Sequence, residues 1–190
     1  MAIIFCMIAI SWRYLPFTFL LLVCCTIISC TTSNNRASGL PELYNDNSDH
    51  FVVIAHRGAS AYAPENTMAA FRIAVDMNAE MIELDVLLSG DGVPVAIHED
   101  QLDRTTDTTG LTSQFTLETL QSVDAGSWFS ADFAGEPVPT LDEVLRYCSG
   151  KISVNIEIKH EAVTNDVEGG IEEKVINLVK RYGMEHHVII

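Results

Sequence analysis

The sequence predicts an α/β fold built on a parallel sheet. Three observations carry that expectation. Short apolar runs of strand length alternate with amphipathic helical stretches along the chain, and strand, helix, strand, helix in that order implies parallel pairing. Several of the runs end on histidine, arginine or carboxylate residues, as strands of α/β sheets do when they deliver chemistry to their carboxyl ends. No internal sequence repeat and no Gly-rich phosphate loop of nucleotide-binding type is present.

The chain has 190 residues and a formal net charge of −15, enough for one domain of ordinary size. The acidic balance argues against a nucleic-acid surface, which needs clustered Lys and Arg. An anionic substrate stays open, because a bound divalent cation reverses the local field. Residues 1–29 carry no charge apart from Arg13 and contain a long apolar stretch, which reads as a secretory leader. Met7 is an alternative start, and an uncleaved membrane anchor is the alternative reading of the segment. Ile27-Ile28-Ser29-Cys30 resembles a bacterial lipobox. Cys30 is thus expected to be lipidated, and the protein to be exported and anchored in the membrane, in the periplasm or at the cell surface. The polar residues 30–50 read as a flexible tether. Of five cysteines only Cys148 lies in the remaining domain, 51–190, so no intramolecular disulfide framework exists there. Cys148 is expected to act as a small hydrophobe near a helix end.

Phe51-Val52-Val53-Ile54-Ala55 is apolar, short and bounded, as a buried parallel strand is, and it stops on His56-Arg57-Gly58. Asn66 is placed to cap a helix over 67–77, with Ala70, Phe71, Ala74 and Val75 as its apolar stripe. An alternating strand over 80–88 puts Met81, Glu83 and Asp85 on one face and Ile82, Leu84 and Val86 on the other. A turn at Ser89-Gly90-Asp91-Gly92 leads to a strand over 93–97 that ends on His98. Residues 99–137 read as polar and irregular with a short helix near 116–123, and Asp103-Arg104 as a local ion pair in a turn. Thr140 caps a helix over 141–148 with Asp142 and Glu143 in its first turn. A strand over 152–158 puts Asn155, Glu157 and Lys159 on one face. An amphipathic helix over 168–182 shows Ile171, Val175, Leu178 and Val179 on one side and ends at Gly183. A further strand begins at His187.

Polar groups therefore gather at four strand ends: His56 and Arg57, Glu83 and Asp85, His98, then Glu157 and Lys159. Charge on a sheet with apolar neighbours is costly unless paired. Three carboxylates plus waters suit a hard divalent cation, Ca²⁺ or Mg²⁺. The bland alternative is that Arg57 and Lys159 only form ion pairs with these acids. His186 and His187 lie outside the pattern.

The motifs His56-Arg57-Gly58, Pro64-Glu65-Asn66-Thr67, Glu83-Leu84-Asp85-Val86, Asp91-Gly92 before His98, Leu102-Asp103-Arg104-Thr105-Thr106, Pro139-Thr140-Leu141 and Glu157-Ile158-Lys159 follow one another in an order and spacing that resembles the glycerophosphodiester phosphodiesterase family. Glu99 departs from the family pattern, which usually has Asp there. The resemblance implies a (β/α)₈ barrel carrying a small insertion at about 99–137. It implies that Glu83, Asp85 and Glu157 bind a metal, that His56 and His98 are an acid–base pair, and that Arg57 and Lys159 hold the phosphate. It implies metal-dependent hydrolysis of a glycerophosphodiester to sn-glycerol 3-phosphate and an alcohol. A related phospholipase C- or D-type enzyme acting on lipid, or an inactive lipid-anchored fragment, are the rival readings. A barrel of eight βα units takes about 250 residues, so about the first half of one is expected here, as in a truncated chain.

Overall fold

The computed structural model describes residues 52–163 and 169–190. The leader at 1–29, the Cys30 lipidation site and the tether at 30–50 lie outside the described residues, as does Glu168. No helix among the described residues is long and apolar enough to cross a membrane.

The strands are β1 (Ile54–Ala55), β2 (Met81–Leu88), β3 (Pro94–Ala96), β4 (Ser153–Ile158) and β5 (Val188–Ile189). Their order is β1-β2-β4-β5, with β3 added to β2. Pairing of β1 with β2, of β2 with β4 and of β4 with β5 is parallel. β2 is buried along almost its whole length, because strands cover both its edges and helices pack against the sheet. Met81, Ile82, Leu84 and Val86 are fully inaccessible. Each such side chain contributes roughly 1.5–3 kcal/mol by leaving water.

The helices follow the sequence expectation in kind. α1 (Met68–Asp76) buries Ala70, Phe71 and Ala74. α2 (Leu117–Leu120) is a single turn capped by Thr116. α3 (Leu141–Cys148) starts in a reciprocal capping box: the Thr140 hydroxyl accepts from Glu143 N at 3.1 Å, and the Glu143 carboxylate accepts from Thr140 N at 2.9 Å. Cys148 is buried at its end, where burial pushes the thiol up to about 12, so it packs as a hydrophobe. α4 (Ile171–Arg181) buries Ile171, Val175, Leu178 and Val179, is capped by Gly170, and gives way to Gly183 at φ +62°.

Five sequence expectations are corrected. Among the described residues β1 is two residues long and pairs only with β2, with Val53 and Ile54 substantially exposed. It reads as a core strand from composition because a run of apolar residues does not reveal whether a partner lies on both sides. β3 runs antiparallel to β2, because the Ser89–Gly92 turn is too short for a crossover. Thr67, rather than Asn66, caps α1 by accepting from Ala70 N. Asp103 and Arg104 do not pair; Asp103 accepts from Gly110 N, and Arg104 reaches Glu65 and Glu99. Residues 99–137 are not simply a polar excursion, since Leu102, Leu120 and Ala125 join the main core. The Glu136 carboxylate also accepts from Ala69 N in the first turn of α1.

β3 decides where the site forms. Val86 pairs with Ile158 on one side and with Ala96 on the other, so β3 shares the edge of β2 that β1 occupies lower down. β1 runs up that edge and β3 runs back down it. The two meet where Gly58 N donates to Glu83 O at 3.2 Å and Ile97 N donates to Asp85 O at 3.1 Å.

Candidate active site

β2 supplies Glu83 and Asp85 to one face of the sheet, and β4 sets Glu157 directly across from Asp85 in register. One carboxylate oxygen from each of the three lies within 4.8 Å of the others. Asp85 is 1% exposed and Glu83 7%, so two acids lie in a setting that disfavours bare charge.

The segment after β1 wraps this cluster. Arg57 (φ +55°) and Gly58 (φ +74°) take the left-handed conformation in succession. That turn aims Arg57 N at Glu83 Oε2, at 2.8 Å. Gly58 is required at its position: a Cβ there would stand 2.8 Å from Ala70 C and Cβ. Arg57 carries the strain of a non-glycine residue at positive φ, of order 1–3 kcal/mol, and is held there by its backbone and side-chain contacts. Its Nε lies 3.5 Å from Asp85 Oδ2. His56 Nε2 is 3.8 Å from Glu83 Oε2, and its side chain is largely exposed. From β4, Lys159 Nζ lies 2.7 Å from Glu157 Oε1 and 3.6 Å from Asp85 Oδ1. His98, at the foot of β3, sits with Nδ1 3.6 Å from Glu99 Oε1.

All seven residues singled out in the domain therefore belong to one locality. Arg57 and Lys159 do pair with the acids, as the bland reading expects, yet the pairing is incomplete. Asp85 Oδ1 and Arg57 Nε are buried without a hydrogen-bond partner among the described residues. An orphaned carboxylate oxygen facing two further carboxylates is a donor set for a hard divalent cation, so the residues fit such an ion. Burial pushes the Glu83 carboxyl above its usual range, and neighbouring Asp85 adds to this, with the Arg57 amide opposing. Glu157 is pulled the other way by its hydrogen bond from Lys159, which is itself held more firmly protonated.

Sequence reasoning missed the part played by Asn66. It adopts φ +56° and is 2% exposed. Its Nδ2 donates to Asp85 Oδ2 at 2.9 Å and its Oδ1 accepts from Asp85 N at 3.3 Å. Asn tolerates both the left-handed conformation and a capping position, and the capping reading won because a helix follows at once. Glu65 and Arg104 were also missed as neighbours of the site; the signal was their presence in the ordered motifs.

Comparison with known proteins gives the family and the fold. A glycerophosphodiester phosphodiesterase of Caldanaerobacter subterraneus subsp. tengcongensis is 49% identical over 140 residues, covering 73% of this chain and 56% of the relative. The crystal structure of a glycerophosphodiester phosphodiesterase from Agrobacterium tumefaciens superposes with a TM-score of 0.67 at 39% identity, over 73% of this chain and 56% of that one. An Oleispira antarctica phosphodiesterase, solved with the product sn-glycerol-3-phosphate, gives 0.58 at 41% identity, over 70% and 52%. The chain thus spans about half the length of the curated relatives it matches, and its fold is part of a (β/α)₈ barrel. The family model for glycerophosphoryl diester phosphodiesterases matches residues 56–190, and the chain belongs to that family.

Proposed function

We propose that this chain carries the catalytic groups for hydrolysis of a glycerophosphodiester to sn-glycerol 3-phosphate and an alcohol, with Ca²⁺ or Mg²⁺ held by Glu83, Asp85 and Glu157. The observation that carries the reading is the carboxylate cluster, buried at Glu83 and Asp85, open to solvent at Glu157 and partly unsatisfied, with two bases and two histidines around it. The product named for the Oleispira antarctica phosphodiesterase supports the substrate class.

Arg57 and Lys159 bind the phosphate: Arg57 offers a planar fork matched to phosphoryl oxygens, and Lys159 a compact point charge. The cation, when bound, supplies further positive charge against the phosphoryl group. One histidine of the pair His56 and His98 takes the proton of the attacking hydroxyl as its oxygen bonds to phosphorus; attack by water gives sn-glycerol 3-phosphate directly, whereas attack by a hydroxyl of the glycerol moiety gives a cyclic phosphate that water then opens in a second step. The other gives a proton to the oxygen of the alcohol that leaves. The exposure of His56 suits a group that exchanges its proton with solvent between turnovers.

The apolar run before Cys30 supports export and lipid anchoring at that residue. Labelling with a fatty acid tests it: incorporation is expected in the full chain and lost in Cys30→Ser.

The functional test is release of glycerol 3-phosphate from glycerophosphocholine by the chain beginning at Cys30, with Cys30→Ser for solubility. Release with Ca²⁺ or Mg²⁺, abolished by chelator, is expected. Absence of release together with absence of glycerol 3-phosphate binding overturns the proposal. Faster cleavage of intact phospholipid than of glycerophosphocholine would move the substrate to lipid.

A further inference from the structure

Beside the carboxylate cluster, a second set of charges runs outward from Arg57. Glu65 Oε1 accepts from Arg57 Nη1 at 3.0 Å and from Arg104 Nη2 at 2.7 Å, while Oε2 accepts from Arg104 Nη1 at 3.0 Å. Arg104 Nε donates to Glu99 Oε1 at 2.8 Å, and that oxygen lies 3.6 Å from His98 Nδ1. The contacts thus link the base beside Asp85 to the residue following the second histidine, without passing through Glu83, Asp85 or Glu157.

This is more than a surface pair. The Glu65 side chain is 13% exposed and that of Arg57 20%, so solvent screens the contact poorly. One carboxylate serves two guanidinium groups, and it meets Arg104 through two parallel bonds, the geometry that best fixes both partners. Glu65 comes from the loop before α1, and Arg104 comes from a turn 39 residues later. The loop and the 99–137 segment are therefore joined at the point where Arg57 is held. Without Glu65 two like charges would face one another, and Arg57 Nη1 would lose its partner.

We propose that Glu65 is a positioning residue: it fixes the Arg57 guanidinium ahead of substrate, and Arg104 in turn fixes Glu65. The proposal rests on Arg57 meeting the substrate phosphate, as in the function given above.

The test compares the unaltered chain, Glu65→Gln, Arg57→Gln and the double variant, all with Ca²⁺. Calorimetry reads affinity for sn-glycerol 3-phosphate, and hydrolysis of glycerophosphocholine gives KM and kcat. Glu65→Gln is expected to weaken binding about tenfold, the scale of one charge-assisted hydrogen bond, and to raise KM more than it lowers kcat. Because the effect acts through Arg57, the same substitution adds nothing in the Arg57→Gln background. Equal losses in both backgrounds, or no loss in either, overturn the proposal. A ligand-free readout separates this from failure of the functional reading. In ¹⁵N spectra the two Arg57 Nη signals are expected to be resolved in the unaltered chain and averaged in Glu65→Gln. If the unaltered chain neither binds glycerol 3-phosphate nor cleaves a diester, the functional reading falls. The ¹⁵N signals then decide the positioning role alone, and identical signals in the two proteins overturn it.

Discussion

Asp85 shows how much of this site is decided one residue at a time. Its two oxygens and its amide are met by Asn66, Arg57 and Lys159, yet Oδ1 keeps no hydrogen bond. The histidines are the residues whose removal tests the chemistry most directly. His56→Ala and His98→Ala are each expected to lower kcat by at least ~10²-fold, the usual contribution of a general acid or base, with thermal unfolding unchanged. A variant near full rate would exclude that histidine from proton transfer. Glu65 offers a pH test of sign. Burial alone would raise its carboxyl, but the bonds and charges of Arg104 and Arg57 outweigh this and hold it below the usual range. A depressed carboxyl stabilises the fold above its ordinary pKa, and that stabilisation fades as pH falls through the folded value. Urea unfolding of the unaltered chain and Glu65→Gln should therefore differ most near neutral pH and converge in acid. A gap that widens on acidification would contradict the assignment.

At the scale of elements, the turn after β1 and the cap of α3 are the places where single changes read cleanly. Gly58→Ala meets both a positive φ and the backbone of Ala70, so it is expected to destabilise by more than ~1 kcal/mol. It should also displace Arg57 N from Glu83, which would show as weakened cation binding at matched temperature. Thr140→Ala removes one half of the α3 capping box and should cost about 1 kcal/mol in denaturant unfolding, leaving cation binding intact. Capping was legible from Thr140 and Glu143 because both signals are local, three residues apart. The place of β3 was hidden for the opposite reason. The strand's composition suits either direction; the short Ser89–Gly92 connection is the sequence signal that decides it, and what stays hidden is the edge of β2 that it takes beyond β1.

For the whole molecule, the central expectation is linkage between cation binding and folding. Burial holds the Glu83 carboxyl above its ordinary range, so ionising it costs stability as pH rises; a bound divalent ion offsets that cost. Ca²⁺ or Mg²⁺ should raise the melting temperature at pH 7, by an amount that grows with the logarithm of concentration once sites are saturated. Glu83→Gln should remove most of the rise. An unaltered melt across millimolar cation would overturn the metal assignment.

The amino-acid sequence by itself determined which residue types gather at the candidate site and on which strands they stand. Alternation places Glu83 with Asp85, and Asn155 with Glu157 and Lys159, on common faces, and this follows from the period of two that every strand obeys. Tertiary structure alone decided that β3 takes the edge of β2 beyond β1 and so brings His98 to the level of Asp85. It also decided that Asn66 clamps Asp85 instead of capping a helix, and that Arg104 reaches across 39 residues to Glu65. The physical reason is the same in each case. Periodicity and capping are properties of adjacent residues, whereas a strand edge, a left-handed asparagine and a shared carboxylate acquire their partners only when distant segments pack.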